Sequence, residues 1–283
     1  MNDLVVRRLR VDLDTPPVRH WAGDAFRTAF FNALSFSFPA GEQFFIDSMR
    51  RVLADAPPGL RAQVDAETRG FIGQEATHRR IHERFNAHLL SQGFVNHWDL
   101  RIRRRQRKIA DVDARAWLGI TAATEHFTAF FADHLLAHPE LLQGAEPRWQ
   151  ELWLWHASEE SEHRAVAFDL YRAAGGSERW RRRLFWMVSL TFATDLVRQT
   201  CHNLWRDGSW WHLSTWTSAW RVLFGRGGLV RERAGDWARY LRADFHPLQA
   251  ALAPGQRWLD EHAALAPPVA APSEALDQPL LQR

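Results

Sequence analysis

The chain has 283 residues, of which 46% are hydrophobic and 24% charged, a composition typical of a folded globular protein and not of a disordered one. Its formal net charge is +3, and Arg residues cluster at 101–108 and 179–183. Because no nucleic-acid-binding signature accompanies these clusters, we expect no nucleic-acid partner. The single cysteine, Cys201, excludes an intramolecular disulfide, and with no apolar leader at the N-terminus we expect a cytoplasmic protein.

Long segments in which apolar residues recur every three to four positions predict an all-α protein. Pro39 suits the first turn of a helix, the run Pro57-Pro58-Gly59 breaks one, and Gly175-Gly176 is a typical C-terminal stop. The helices expected from these signals cover residues 18–35, 39–55, 60–91, 107–137 and 146–174.

These helices predict an N-terminal segment with a short helix over 1–36 and a four-helix bundle over 37–176. Residues 184–197 are nearly all apolar, but the run is shorter than the roughly 20 residues of a membrane span, and Asp195 interrupts it. We expect 177–264 to form a Trp-rich helical extension packed on the bundle, and the Pro- and Ala-rich 265–283 to be a disordered tail.

The helix expected over 60–91 carries polar side chains on the face that should enter the core. Steps of three and four residues give a stripe with large apolar residues at both ends and a carboxylate and two imidazoles at its centre. This stripe consists of Phe71, Glu75, His78, His82, Phe85 and Leu89.

The other three helices of the predicted bundle repeat this pattern. The stripe of the helix over 146–174 consists of Trp153, His156, Glu160, His163, Ala167 and Leu170. The helices over 39–55 and 107–137 each have one carboxylate among apolar residues, Glu42 and Glu125.

Four ionised carboxylates in one core would be very costly and would repel one another. Since the stripes contain no Lys or Arg, protonation or bound metal must compensate. Carboxylates and imidazoles together suit iron, manganese or zinc, and six ligands are too many for one tetrahedral zinc but fit two metals bridged by carboxylates. The predicted ligands are Glu42, Glu75, His78, Glu125, Glu160 and His163.

At these residues the chain resembles the ferritin-like di-iron superfamily and, more closely, a bacterial family described as predicted metal-dependent hydrolases. The likeness lies in the segments 41-GEQFF-45, 74-QEATHRRIH-82, 124-TEHFTAF-130, 156-HASEESEH-163 and 245-FHP-247, and it spans most of 5–250. The resemblance implies a ferritin-like four-helix bundle with additional C-terminal helices and a bound metal. The family label names hydrolysis, whereas the superfamily fold more often implies O₂ chemistry.

Several polar residues near the stripes have two interpretations. His82 and His156 are either additional ligands, partners that orient a ligand, or core histidines bonded to a backbone carbonyl. We expect Glu159 and Glu162 to be solvated or paired with Arg164 and nearby basic residues. The same reasoning predicts a surface role for His126 and a surface ion pair for Glu83, while Asp195 either pairs with an Arg or supports the metal shell.

Three functions agree with such a site. With two iron ions, we expect O₂-dependent oxidation of a small apolar or lipid-like substrate, with Glu75 and Glu160 as bridging ligands. The alternatives are a hydrolase that uses a metal-bridged water with zinc or manganese, and a non-catalytic metal-binding protein. The Trp-rich extension predicts packing on the bundle or a homodimer interface; its alternatives are an apolar substrate channel and a peripheral membrane contact.

Overall fold

The computed structural model describes residues 4–250 and 252–269, and over these residues the protein contains helices and no strand. The prediction of an all-α fold is confirmed, while the ferritin-like bundle stays a prediction. The α-helices are α1 (Ala25–Ala54), α2 (Pro58–Ser91), α3 (His97–Lys108), α4 (Ala114–Ala137), α5 (Pro147–His163), α6 (Val166–Ala173), α7 (Glu178–Asp207), α8 (Leu213–Phe224), α9 (Leu229–Arg239) and α10 (Ala253–Glu261).

Helix α1 begins at Ala25, where the carboxylate of Asp24 accepts a hydrogen bond from the backbone N–H of Arg27. The prediction of a helix boundary at Pro39 is wrong, because α1 runs through this proline. Proline has no N–H for the carbonyl of Ser35, but the side chain of Asn86 donates to that carbonyl at 2.9 Å. The neighbouring α2 therefore compensates for the proline.

Two further predicted helices are interrupted in the structure. The basic run near residue 101 forms α3, and the predicted helix over 107–137 begins only at Ala114, where Asp113 caps α4. The predicted helix over 146–174 is broken directly after His163. There, Arg164 donates to both carboxylate oxygens of Asp133 in α4 at 2.9 and 2.6 Å.

Helices α1, α2, α4 and α5 bring their polar stripes to one shared interior between two apolar clusters. One cluster includes Phe85 and Trp153, and the other includes Phe71 and Leu118. Helix α7 packs on α1 and α4, and Asp195 in its middle forms ion pairs with Arg101 and Arg105 of α3. The predicted pairing of Asp195 with an Arg is therefore observed.

Residues 4–10 lie on α2, and their backbone bonds to residues 265–269, with Arg8 N donating to Pro267 O at 3.0 Å. Two glycines of α2 permit this close approach. A Cβ at Gly70 would lie 2.5 Å from the Leu4 side chain, and one at Gly73 would lie 2.5 Å from the Val6 side chain. Residues 270–283 of the predicted tail lie outside the described residues.

Apolar residues remain exposed along one side of α7, including Trp186, Leu190 and Val197. Further along the Trp-rich extension, four tryptophans are also exposed, and these are Trp205, Trp211, Trp216 and Trp220. Within the described residues, no helix is long and apolar enough to cross a membrane. A homodimer or a peripheral membrane contact through this region stays a prediction.

Candidate metal centre

The six predicted ligands meet in the interior between α1, α2, α4 and α5. All are buried, and the most exposed, Glu160, retains 4% of its accessible surface. Suitably placed donor atoms fall into two groups, each with its atoms within 4.8 Å of one another. The first group is Glu75, Glu125, Glu160 and His163, and the second is Glu42, His78 and His156.

In the first group the carboxylates surround the imidazole of His163. Its Nε2 lies 3.1 Å from Glu75 Oε1, 3.4 Å from Glu125 Oε2 and 3.4 Å from Glu160 Oε2. At these distances, the four side chains can direct their donor atoms at a single position between them.

Glu160 joins the two groups. Its Oε2 faces His163, while its Oε1 lies 2.9 Å from His156 Nε2 and 3.5 Å from His78 Nδ1. Glu42 closes the second group, with its Oε1 3.7 Å from His156 Nε2. The two carboxylate oxygens of Glu160 therefore face different donor groups, and its role as a bridging ligand stays a prediction.

Most donor atoms of this interior have no hydrogen-bond partner. Both carboxylate oxygens of Glu42, Glu75 and Glu125 are buried and unpaired, as are His78 Nδ1, Glu160 Oε2 and His163 Nε2. A buried unpaired polar atom costs about 1–3 kcal/mol, and a charged one costs more. Each of the six predicted ligands contributes at least one such atom, so the residues present fit a metal centre.

Burial and mutual repulsion set the protonation of these groups in the absence of metal. Burial, together with the charges of Glu75 and Glu160, raises the pKa of Glu42 well above its usual value, and burial also raises the pKa of Glu125. Burial opposes the ionisation of His78, but its hydrogen bond to Glu159 and the nearby carboxylate of Glu160 raise the pKa of His78 to about 9. The metal-free interior therefore holds protons that bound cations would displace.

Each imidazole of the centre is held from behind by a further polar residue. Gln74 Oε1 lies 2.9 Å from His163 Nδ1, Glu159 Oε2 lies 2.9 Å from His78 Nε2, and His82 Nε2 lies 2.7 Å from His156 Nδ1. Such partners fix the tautomer and orientation of a ligating histidine.

The two extra histidines differ in position. His156 contributes Nε2 to the second group, whereas His82 lies behind it and contacts Ser35 Oγ through Nδ1 at 2.8 Å. Both rings bond to side chains and not to a backbone carbonyl, so the interpretation as core histidines bonded to a carbonyl is wrong.

The prediction that Glu159 is solvated is wrong, because its side chain is fully buried. It accepts from His78 and, at 3.2 Å, from Arg7. Glu162 is also engaged, accepting from both terminal nitrogens of Arg7 and from Gln74. The predicted partner Arg164 binds Asp133 instead.

His126 is buried rather than exposed, so the predicted surface role is also wrong. Its Nε2 donates to the backbone carbonyl of Asp236, and its ring packs against Tyr240 and Phe185. Glu83 forms the expected surface pair with Arg79.

A cavity of about 260 Å³ between α1, α3, α4 and α7, here called the α3 cavity, reaches the centre at Glu42 and Glu160. Its wall is mainly apolar and includes Phe38, Trp98, Ile120, Val188 and Phe192, whereas Arg105, Gln106, Lys108 and Asp195 line it on the α3 side. A smaller apolar cavity of about 70 Å³, here called the α8 cavity, reaches His156 and Glu160 from the side of Val222 and Leu229.

A family model described as "Predicted metal-dependent hydrolase" matches residues 5–251. The chain belongs to this family. No curated protein and no solved structure gives a match. The predicted metal-dependent hydrolase family supports metal dependence, and the buried His and Glu groups are the candidate metal site.

Of the missed residues Glu159, Gln74 and Arg7, Glu159 had a partial signal in the sequence. Glu159 precedes His163 by four positions, so the two side chains lie on the same side of α5. The role of Arg7 had no such signal, because an extended N-terminal segment has no helical period to place it.

Proposed function

We propose that this protein is a metal-dependent hydrolase with two metal ions bound around Glu160. The observation that carries the proposal is the set of buried, unpaired donor atoms on four helices, each aimed at the same interior. Membership of the predicted metal-dependent hydrolase family supports hydrolysis over the O₂-dependent oxidation expected from the ligand pattern.

Divalent metals in such a site lower the pKa of water and polarise the oxygen of a substrate carbonyl or phosphoryl group. The protein contributes the positions of the donors. Glu160 faces both groups, Glu159 and Gln74 orient the imidazoles of His78 and His163, and Phe38 covers His82 and His156 with ring centroids 4.6 Å apart in each pair. Apolar cover of this kind excludes bulk water and strengthens electrostatic interactions at the centre.

The α3 cavity favours a substrate with an apolar body. Its aromatic and aliphatic wall would hold that body, with the hydrolysable bond at Glu42 and Glu160. Arg105 is paired with Asp195 on the α3 side of the same cavity, whereas Lys108 would accommodate an anionic group of the substrate there. The proposed substrate class is therefore an ester of an apolar acid.

The first test is metal analysis of the purified protein, followed by hydrolysis of p-nitrophenyl esters of increasing acyl length with zinc, manganese or iron added. We expect about two metals per chain and faster hydrolysis of longer acyl chains. Glu125→Gln should lower both metal content and hydrolysis. Thr128, which lines both cavities, tests the route: Thr128→Trp should retain the metals but shift the preference to short acyl chains.

The exposed Thr217→Trp on α8 is the matched control for Thr128→Trp and should change nothing. Hydrolysis that is independent of metal, or an unaltered chain-length preference in Thr128→Trp, would contradict the proposal.

Oxidation is the second candidate, because the two Glu-x-x-His pairs, Glu75–His78 and Glu160–His163, face each other across the centre. Anaerobic loading with Fe(II) followed by exposure to air separates the candidates. A new absorption band with oxygen consumption, and no esterase activity with any metal, would favour oxidation. Metal binding without either response would favour a non-catalytic protein.

A further inference from the structure

A second cluster of metal-ligand side chains lies where the end of α4 meets α9. His134 lies in the last turn of α4, His138 follows directly after the helix, and Glu232 reaches them from α9. One donor atom from each lies within 4.8 Å of the others. His138 Nε2 lies 2.6 Å and His134 Nδ1 lies 3.7 Å from Glu232 Oε2. The cluster shares no residue with the candidate metal centre.

His134 makes the cluster more than a surface ion pair. It retains 2% of its accessible surface, and neither ring nitrogen has a hydrogen-bond partner. Leaving a buried donor or acceptor unpaired costs about 1–3 kcal/mol. Burial lowers the pKa of His134 to about 4, so the ring is neutral near pH 7 and has a lone pair available for a cation.

The two ring nitrogens of His138 have the partners that are typical of a metal-binding histidine. Its Nε2 faces Glu232, while its other nitrogen, Nδ1, lies 2.8 Å from Glu140 Oε1. A carboxylate on the far nitrogen is the usual support of a metal-bound imidazole, because it fixes the tautomer and raises the basicity of the ligand. The nearby cation Arg233 is turned to Asp236 and to the Asp133 carbonyl, each at 3.1 Å.

The turn before α9 comes close to this cluster. Gly227 has φ +75°, and a Cβ there would lie 3.2 Å from His138 Cε1. A side chain at this position would be strained and would crowd the imidazole. The backbone is thus shaped to bring α9 and Glu232 against the end of α4.

We propose that His134, His138 and Glu232 form a mononuclear Zn²⁺ site, with Glu140 as a positioning residue. Two imidazoles and one carboxylate are a common three-ligand set for zinc and leave a fourth position for water. The site fastens α9 to α4 beside the α8 cavity, whose wall contains both His134 and Leu229. It does not depend on the proposed hydrolase activity.

The test is the zinc content of the full-length protein, measured by mass spectrometry of the metal after zinc loading and removal of the excess. We expect Glu232→Gln and His138→Ala each to lose one equivalent of zinc and to keep the rest. Both side chains are partly exposed, at 36% and 21%, so the variants should fold, and circular dichroism checks this. The exposed His212→Ala is the control and should lose none.

A second measurement separates this site from the candidate metal centre. The Co²⁺ difference spectrum between the wild type and Glu232→Gln should show the intense bands of a four-coordinate ion, and Glu140→Gln should weaken the binding of that ion about 10- to 100-fold. Equal zinc content in the wild type, Glu232→Gln and His138→Ala would overturn the proposal. If Glu125→Gln loses hydrolysis but retains the equivalent of zinc bound by His134, His138 and Glu232, the result bears on the proposed function alone and not on this second site.

Discussion

Glu159 is as deeply buried as the candidate ligands, but both of its oxygens are occupied. One accepts from His78 and the other from Arg7, so this carboxylate faces away from the unpaired donors of the centre. The helical period could place Glu160 and His163 on the buried stripe because apolar residues continue it on both sides. It could not place Glu159 in the interior, because its partner Arg7 lies in a segment without periodicity.

Glu159→Gln should weaken metal binding without changing the number of ions bound. The amide removes a negative charge behind His78 and makes this imidazole a weaker ligand, which typically costs 10- to 100-fold in affinity. Competition with a chromogenic chelator measures the dissociation constants. Glu83→Gln, which removes a surface carboxylate, is the control, and equal affinities in the two variants would contradict the assigned role.

Metal should stabilise the protein more as the pH rises. Between the ordinary histidine pKa of 6.5 and the value of about 9 in the folded protein, native His78 retains a proton that the unfolded chain releases. The free energy of unfolding of the metal-free protein therefore falls as the pH rises through this window. Metal displaces the same proton, so its binding strengthens with pH.

Thermal unfolding from pH 6.5 to 9, with and without EDTA, measures this effect. The Tm of the EDTA-treated protein should fall across the range, and the increase in Tm produced by metal should grow. A metal-induced increase that stays constant with pH would show that protons and metal do not compete.

At the scale of the helices, tertiary contacts decide where the sequence signals were misleading. Proline is a reliable sign of a first helical turn only when nothing else satisfies the carbonyl it leaves unpaired. Asn86 satisfies that carbonyl at Ser35, so α1 continues through Pro39. Conversely, the helical spacing of apolar residues over 146–174 continues through Arg164 and predicts one unbroken helix. The helix nevertheless breaks at Arg164, which is bound to Asp133. The partners that decide these two outcomes, Asn86 and Asp133, are distant in sequence, so the local sequence could not reveal them.

A double-mutant cycle tests the compensation within α1. Asn86→Ala should cost about 1–3 kcal/mol, because the buried carbonyl of Ser35 loses its donor. In the Pro39→Ala background the helix supplies an N–H to this carbonyl, so the same substitution should cost about 1 kcal/mol less. Urea denaturation of the wild type, the two single variants and the double variant gives the coupling free energy. Strictly additive effects would show that Asn86 does not compensate for the N–H that Pro39 lacks.

For the whole molecule, the centre depends on a segment far from it in the chain. Arg7 reaches Glu159 and Glu162 only because residues 4–10 lie directly on the glycines of α2 and bond to residues 265–269. The burial of the six candidate ligands was predictable from local patterns, whereas this long-range closure was not. The closure depends on Gly70 and Gly73 of α2, and the spacing of these two glycines does not indicate which residues they contact.

Two Gly→Ala substitutions in helices distinguish the steric effect of a close contact from the gain in helix propensity. Gly235→Ala in α9 meets nothing within 4 Å and should stabilise the protein by about 1 kcal/mol. Gly73→Ala gains the same propensity but would place its methyl group 2.5 Å from Val6, so it should displace Arg7 and weaken metal binding. Denaturation and metal titration of both variants measure this, and unchanged affinity in Gly73→Ala would show that the segment tolerates displacement.

The pairing of residues 4–10 with residues 265–269 has a consequence for biosynthesis. The segment that carries Arg7 is synthesised before every ligand of the centre, but the residues that hold it in place are synthesised after all of them. On the ribosome, the nascent chain therefore presents the ligand-bearing helices before their outer support can close. We therefore expect the complete geometry of the centre to be available to metal only after the chain has been synthesised as far as residues 265–269.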